Sequence, residues 1–229
     1  MSATTPTPLD GNEHLPASAD LFSDDPLKPA FTARLHTDAP RTLVNSIPME
    51  GTDFIAPFVP CTVEVAREAL AFARVGADDE KDEVVVDLGC GDGRVLEQAL
   101  LLSSGASNPA TPPSRTRIRT VGVELDPHLA AHLRAVVAPR YADGLMRIIE
   151  ANMFEIDLVE LGATVLVLYL LPKGLSMLRN QLGKWLHGGD LRRIVTITYS
   201  IPVWNCERAK EVNRQWLFYY DAADIREGE

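Results

Sequence analysis

Residues 83–93 read Glu83-Val84-Val85-Val86-Asp87-Leu88-Gly89-Cys90-Gly91-Asp92-Gly93. The first five are a short, continuous, β-branched run with no polar alternation. That is the pattern of a strand buried on both faces, as in a parallel sheet. The glycines at alternate positions after it let the backbone turn sharply and come close to a ligand. From Arg94 to about Ser103 the apolar residues recur at helical spacing. A buried strand that runs into a glycine turn and then a helix is the first crossover of an open α/β sheet. Ligands of such sheets bind in the crevice at the carboxyl ends of the strands.

Outward from this unit the pattern repeats. Before it, Thr62 can cap a helix that carries Val63, Ala66, Leu70 and Ala73 on one face. After it, residues 103–116 are a Ser/Pro/Gly-rich surface loop. Arg117 to Val123 is a second strand, and Asp126-Pro127 opens a helix bearing His128, His132 and Arg134. Leu145–Glu150, Val165–Leu170 and Arg193–Tyr199 are further strands, with a helix from Gly174 to Leu186. Two short strands within Glu207–Asp221, the second being Trp216–Tyr220, form a hairpin turned near Asn213-Arg214. The expected fold is a Rossmann-like α/β architecture. Seven strands, mostly parallel, carry helices on both faces, and an antiparallel C-terminal hairpin closes the sheet.

Composition narrows the function. Hydrophobic residues are 46% of 229, so most of the chain is globular. Residues 1–45, rich in Pro, Ser, Thr, Asp and Ala, read as a disordered tail, with one domain from 46 to 229. The net charge of -10 gives no general pull toward nucleic acid or an anionic membrane. The longest apolar run, Val165 to Pro172, is far short of the roughly 20 residues of a membrane span. Three widely spaced cysteines suit neither a disulfide framework nor a zinc site, which favours a cytoplasmic protein. His128 and His132 have no third ligand nearby and read as solvated helix positions, so no metal is expected.

The glycine spacing separates cofactors. A dinucleotide fingerprint counted from Gly89 needs a third glycine where Arg94 stands, and a P-loop is absent. The run D-x-G-x-G-x-G resembles the S-adenosylmethionine (SAM) loop of class I methyltransferases. That resemblance implies cofactor contacts from Asp87, Gly89, Cys90, Gly91 and Gly93. Asp87 and Asp92 suit a cationic amino-acid ligand better than a pyrophosphate. Glu124 ends the second strand in a carboxylate that can accept both ribose hydroxyls, while Asp126 reads as the helix cap. In such enzymes the residues after the third strand meet the adenine, which implies Asn152 and Met153. A solvent-facing Asn152 is the competing reading.

Phe58-Val-Pro-Cys61-Thr-Val-Glu-Val65, Tyr169-Leu-Leu-Pro172, Ile201-Pro-Val-Trp204 and the closing hairpin resemble the small protein-lysine methyltransferases, typified by the archaeal broad-specificity enzyme and its animal relatives. The likeness spans roughly Ile55 to Asp221. It departs at Cys61, where the family has serine, and at Val203, where it has glycine. It implies a protein-lysine acceptor and a pocket of Tyr169, Trp204 and Phe58. A small-molecule O- or N-methyltransferase, or a non-catalytic SAM-fold binding protein, are the alternatives. A buried strand-end role is the competing reading of Tyr169.

Overall fold

A computed structural model describes residues 59–77, 81–103, 117–142, 144–188 and 190–224. The tail at 1–45, the start of the domain, Phe58 and the loop at 104–116 lie outside the described residues. The elements in chain order are α1 (Val63–Phe72), β1 (Glu83–Leu88), α2 (Arg94–Ser103), β2 (Ile118–Glu124), α3 (Pro127–His132), β3 (Met146–Glu150), β4 (Val165–Leu168), α4 (Pro172–Gly188), β5 (Arg193–Ile197), β6 (Arg208–Val212) and β7 (Gln215–Tyr220). The seven strands form one sheet in the order β3-β2-β1-β4-β5-β7-β6. Pairings are parallel from β3 through β5; β7 is antiparallel to both β5 and β6. The expected α/β fold is the one observed.

Burial explains the strand composition. All six residues of β1 are buried, because both faces of the sheet are covered. One face packs Val86, Leu88, Leu166, Leu168 and Ile194 against Leu175, Leu178 and Leu182 of α4. The other packs Val85, Val165, Val167, Val195 and Ile197 against α1 and the Val95/Ala99 side of α2. α1 starts where expected: the Thr62 hydroxyl accepts the Val65 N–H at 3.2 Å. The hairpin also turns as expected, with Asn213 and Arg214 at φ 49° and 62°, the left-handed pair that a type I′ turn requires.

Three of the boundaries that differ from expectation have a local cause or consequence. α3 ends at His132, and Arg134 falls in a π-turn, Leu133–Val137, where the Ala138 N–H reaches Leu133 O. Pro139 follows and has no N–H with which to continue an α-helical ladder. β5 stops at Ile197 because Thr198 has φ 73°, outside any strand conformation. β4 stops at Leu168, and Tyr169 and Leu170 leave the sheet for opposite faces.

The amino ends of the strands hold a buried ion pair. Glu83, fully buried, accepts from Arg193 Nη2 and from the Gly76 N–H at 2.7 Å. Arg193 Nη1 also donates to the carbonyls of Ala73 and Arg74, both at 2.9 Å. The C-terminus of α1 is thereby tied to β1 and β5. Among the described residues, no helix is long and apolar enough to cross a membrane.

Candidate cofactor and acceptor site

The strand order reverses between β1 and β4, the switch point at which open α/β sheets bind ligands. The glycine turn lies there. Gly89, Gly91 and Gly93 have φ 79°, 54° and 77°, a region that side-chain-bearing residues rarely adopt. Space adds to the requirement at Gly93, where a Cβ would stand 2.7 Å from Leu133 Cδ2. Gly89 instead opens outward, with Leu170 Cδ2 and Met153 Cε at 3.5 and 3.9 Å from its absent Cβ. The Cys90 thiol is turned into the core over β2, where a Cβ at Gly122 would meet it at 2.6 Å. Cys90 therefore faces the crevice by its backbone alone.

Glu124 brackets the turn from the end of β2. Its Oε2 accepts the Gly91 N–H at 2.8 Å and its Oε1 the Asp126 N–H at 2.9 Å. A carboxylate has about four lone-pair sites, so each oxygen can accept a further hydrogen bond. Asp126 caps α3 through the N–H groups of His128 and Leu129.

The two aspartates of the loop have separate fates. Asp92 is bound by Arg94, with Nη2 at 2.6 Å and Nε at 3.0 Å from Oδ2. Arg94 Nη1 also donates to Cys61 O, which clips the loop to the start of α1. The residue that displaces a dinucleotide glycine is thus the brace of this loop, and the charge of Asp92 is neutralised within it. Asp87 is buried and accepts no hydrogen bond among the described residues. Burial first, then the nearby Glu124 and Asp92, pushes its carboxyl up to about 8. A buried carboxyl under a bare glycine turn, beside a carboxylate with spare lone pairs and two apolar side chains, fits an adenosyl amino acid. Asn152 caps a 3₁₀ turn, its Oδ1 accepting the Phe154 N–H at 3.1 Å, and it places Met153 beside Gly89.

Just past β4, the Tyr169 hydroxyl accepts from Gln215 Nε2 at 2.8 Å, and the same amide donates to Thr198 Oγ1 at 3.1 Å. The phenol is half-buried against the α1 face, and burial raises its pKa. Trp204 does not join it. Its ring lies in the core on the α4 face, 5.7 Å from Tyr220 and edge-on at 66°. Tyr220 is paired with Ile194, near the amino end of β5. The chain after β5 runs back down the sheet to begin β6, carrying Trp204 away from the carboxyl rim. The expected wall of Tyr169 and Trp204 is therefore not formed, and Phe58 lies outside the described residues. Gln215 and Thr198 were not singled out from the sequence. Period-two alternation puts Gln215 on the face of Leu217 and Tyr219, but only the β5–β7 register brings it to Tyr169. Among the described residues, no group of three or more His, Cys, Asp or Glu could hold a metal ion.

No family profile matches the chain. It is 32% identical over 149 residues to the protein-lysine N-methyltransferase of Saccharolobus islandicus (strain REY15A), spanning 65% of this chain and 80% of that one. The crystal structure of an RNA methyltransferase from Salinibacter ruber in complex with S-adenosyl-L-homocysteine is similar, with TM-score 0.57 and 26% identity. The match covers 74% of this chain and 97% of that one. The fold, with the glycine turn at its switch point, defines a class I, seven-strand SAM-dependent methyltransferase. Within that class, the chain belongs to the family of the Saccharolobus protein-lysine N-methyltransferase.

Proposed function

We propose that the protein transfers a methyl group from SAM to a lysine side chain of a protein acceptor. The observation that carries this reading is the Tyr169 hydroxyl, held at the end of β4 beside the glycine turn, together with kinship to a protein named for lysine. SAM supplies a methyl group already activated by its sulfonium. When bound, it would be held by Glu124 at the ribose hydroxyls, by Asp87 at the ammonium of the amino-acid moiety and by the turn at Gly89, Cys90, Gly91 and Gly93. Asn152 and Met153 would serve the adenine.

The chain must then orient a neutral amine and exclude water, so proximity carries much of the rate. Lysine has a reference pKa of about 10.4. The apolar surroundings of Tyr169 disfavour the ammonium and release its proton to solvent. One lone pair of Tyr169 Oη then accepts an amine N–H and aims the nitrogen. The three free cysteines suit a reducing compartment, which supports the cytoplasm as the place of reaction.

An RNA acceptor is the reading that the name of the Salinibacter enzyme favours. A net charge of -10 weighs against it. Incubation with methyl-labelled SAM and a cell lysate separates the cases. The label should survive ribonuclease, be lost to protease, and be recovered as methyl-lysine after hydrolysis. Label in RNA, or in the small-molecule filtrate, would overturn the proposal.

A further inference from the structure

Three side chains from neighbouring strands meet at the carboxyl rim. Tyr169 follows β4, Thr198 follows β5, and Gln215 opens β7. Gln215 Nε2 donates to Tyr169 Oη at 2.8 Å and to Thr198 Oγ1 at 3.1 Å. Thr198 is β-branched and yet stands at φ 73°, a conformation such residues avoid. Its N–H is held by Trp216 O at 2.6 Å, next to Gln215 in the chain. Backbone strain of this kind persists only where the surroundings over-determine it, and it gathers at functional sites. Here the strain turns the Thr198 hydroxyl toward Gln215 rather than continuing β5.

We infer that Gln215 is a positioning residue for methyl transfer, fixing the Tyr169 hydroxyl as a hydrogen-bond acceptor toward the incoming amine. A primary-amide nitrogen has only donors, so Tyr169 Oη must accept from Gln215. The hydroxyl has two acceptor sites and one proton. With Gln215 on one acceptor site, the acceptor site that remains suits an N–H donor. Such a site favours an amine over a carboxylate acceptor, which has no proton to offer. The inference rests on the placement of Tyr169 at the acceptor amine.

The test is a double-mutant cycle of Gln215→Leu and Tyr169→Phe in the full chain. Initial rates are measured with labelled SAM and total cell protein as acceptor. S-adenosylhomocysteine affinity by calorimetry and Tm are measured alongside. Gln215→Leu should lower kcat about tenfold, with cofactor affinity unchanged. In the Tyr169→Phe background it should have no further effect, because the group it positions is gone. Gln215→Glu, whose carboxylate has no N–H to give the hydroxyl, should recover none of the lost rate. Wild-type kcat in Gln215→Leu, or multiplying effects in the double variant, would overturn the positioning role while leaving Tyr169 in place. A silent Tyr169→Phe would overturn the acceptor-site reading and this inference together.

Discussion

Glu124 reaches back across 33 residues to accept the Gly91 N–H at 2.8 Å. The carboxylate therefore has a duty to the loop besides the ribose contact proposed for it. A carboxylate that served only as ribose ligand would, on replacement by alanine, weaken cofactor binding and leave the fold intact. The structure changes that expectation, because the variant strands the buried Gly91 N–H as well as that of Asp126. Leaving such a donor unpaired costs about 1–3 kcal/mol. Glu124→Ala should raise the S-adenosylhomocysteine dissociation constant at least tenfold and also lower Tm by several degrees. Glu124→Gln, which still presents one acceptor, should lose affinity with less loss of Tm. Calorimetry and thermal melts on the two variants check both effects.

Asp87 makes both the stability and the binding depend on pH. Its folded pKa is pushed up to about 8, against about 3.9 for a free aspartate. The native state therefore holds this proton more tightly than the unfolded chain does. The stability it contributes is complete below pH ~4 and is lost as pH rises through about 8. Ligand-free wild type should thus lose more Tm between pH 5 and pH 8.5 than Asp87→Asn does. A ligand ammonium reverses the preference and expels the proton. At pH 7 the apparent enthalpy of S-adenosylhomocysteine binding should differ between phosphate and Tris, and Asp87→Asn should abolish the difference.

Glu83→Gln should be among the most destabilising single substitutions far from the cleft. It leaves Arg193 without its carboxylate in a buried position, a loss of about 3–5 kcal/mol. The m-value should hold and the urea midpoint should fall. Cofactor affinity of the folded protein should be unchanged, since the pair sits at the amino ends of the strands.

Val203→Gly should stabilise. Val203 has φ 75° and is 65% exposed, so its side chain costs strain and contributes little packing. A left-handed residue with a Cβ costs about 1–2 kcal/mol, offset by about 0.4–1 kcal/mol for the freer unfolded glycine chain. The net gain is about 1 kcal/mol, read as a higher urea midpoint at constant m.

What was legible in the sequence was local. The run from Glu83 to Gly93 carries its own conformation, since β-branched residues favour the strand and glycines permit the three positive φ values. Glu124 and Asp126 could be separated because a strand end and a helix cap are both read within a few residues. Trp204 was misplaced because adjacency to the end of β5 does not say which way the chain then runs, and it runs back along the α4 face. The Glu83–Arg193 pair lies 110 residues apart. Likewise, the meeting of Tyr169, Thr198 and Gln215 depends on the antiparallel register of Ile197 with Leu217. No window of sequence contains either.

In the proposed site, the crevice is divided between two sets of strands. The donor half is built from β1, β2 and the turn after β3, and is held largely by backbone groups and one carboxylate. The acceptor half rests on three side chains from β4, β5 and β7. Drift in those three positions can therefore redirect what is methylated without disturbing how the methyl group is delivered. A lineage starting from this chain could acquire new acceptors by changing Tyr169, Thr198 and Gln215 while its dependence on SAM stayed constant.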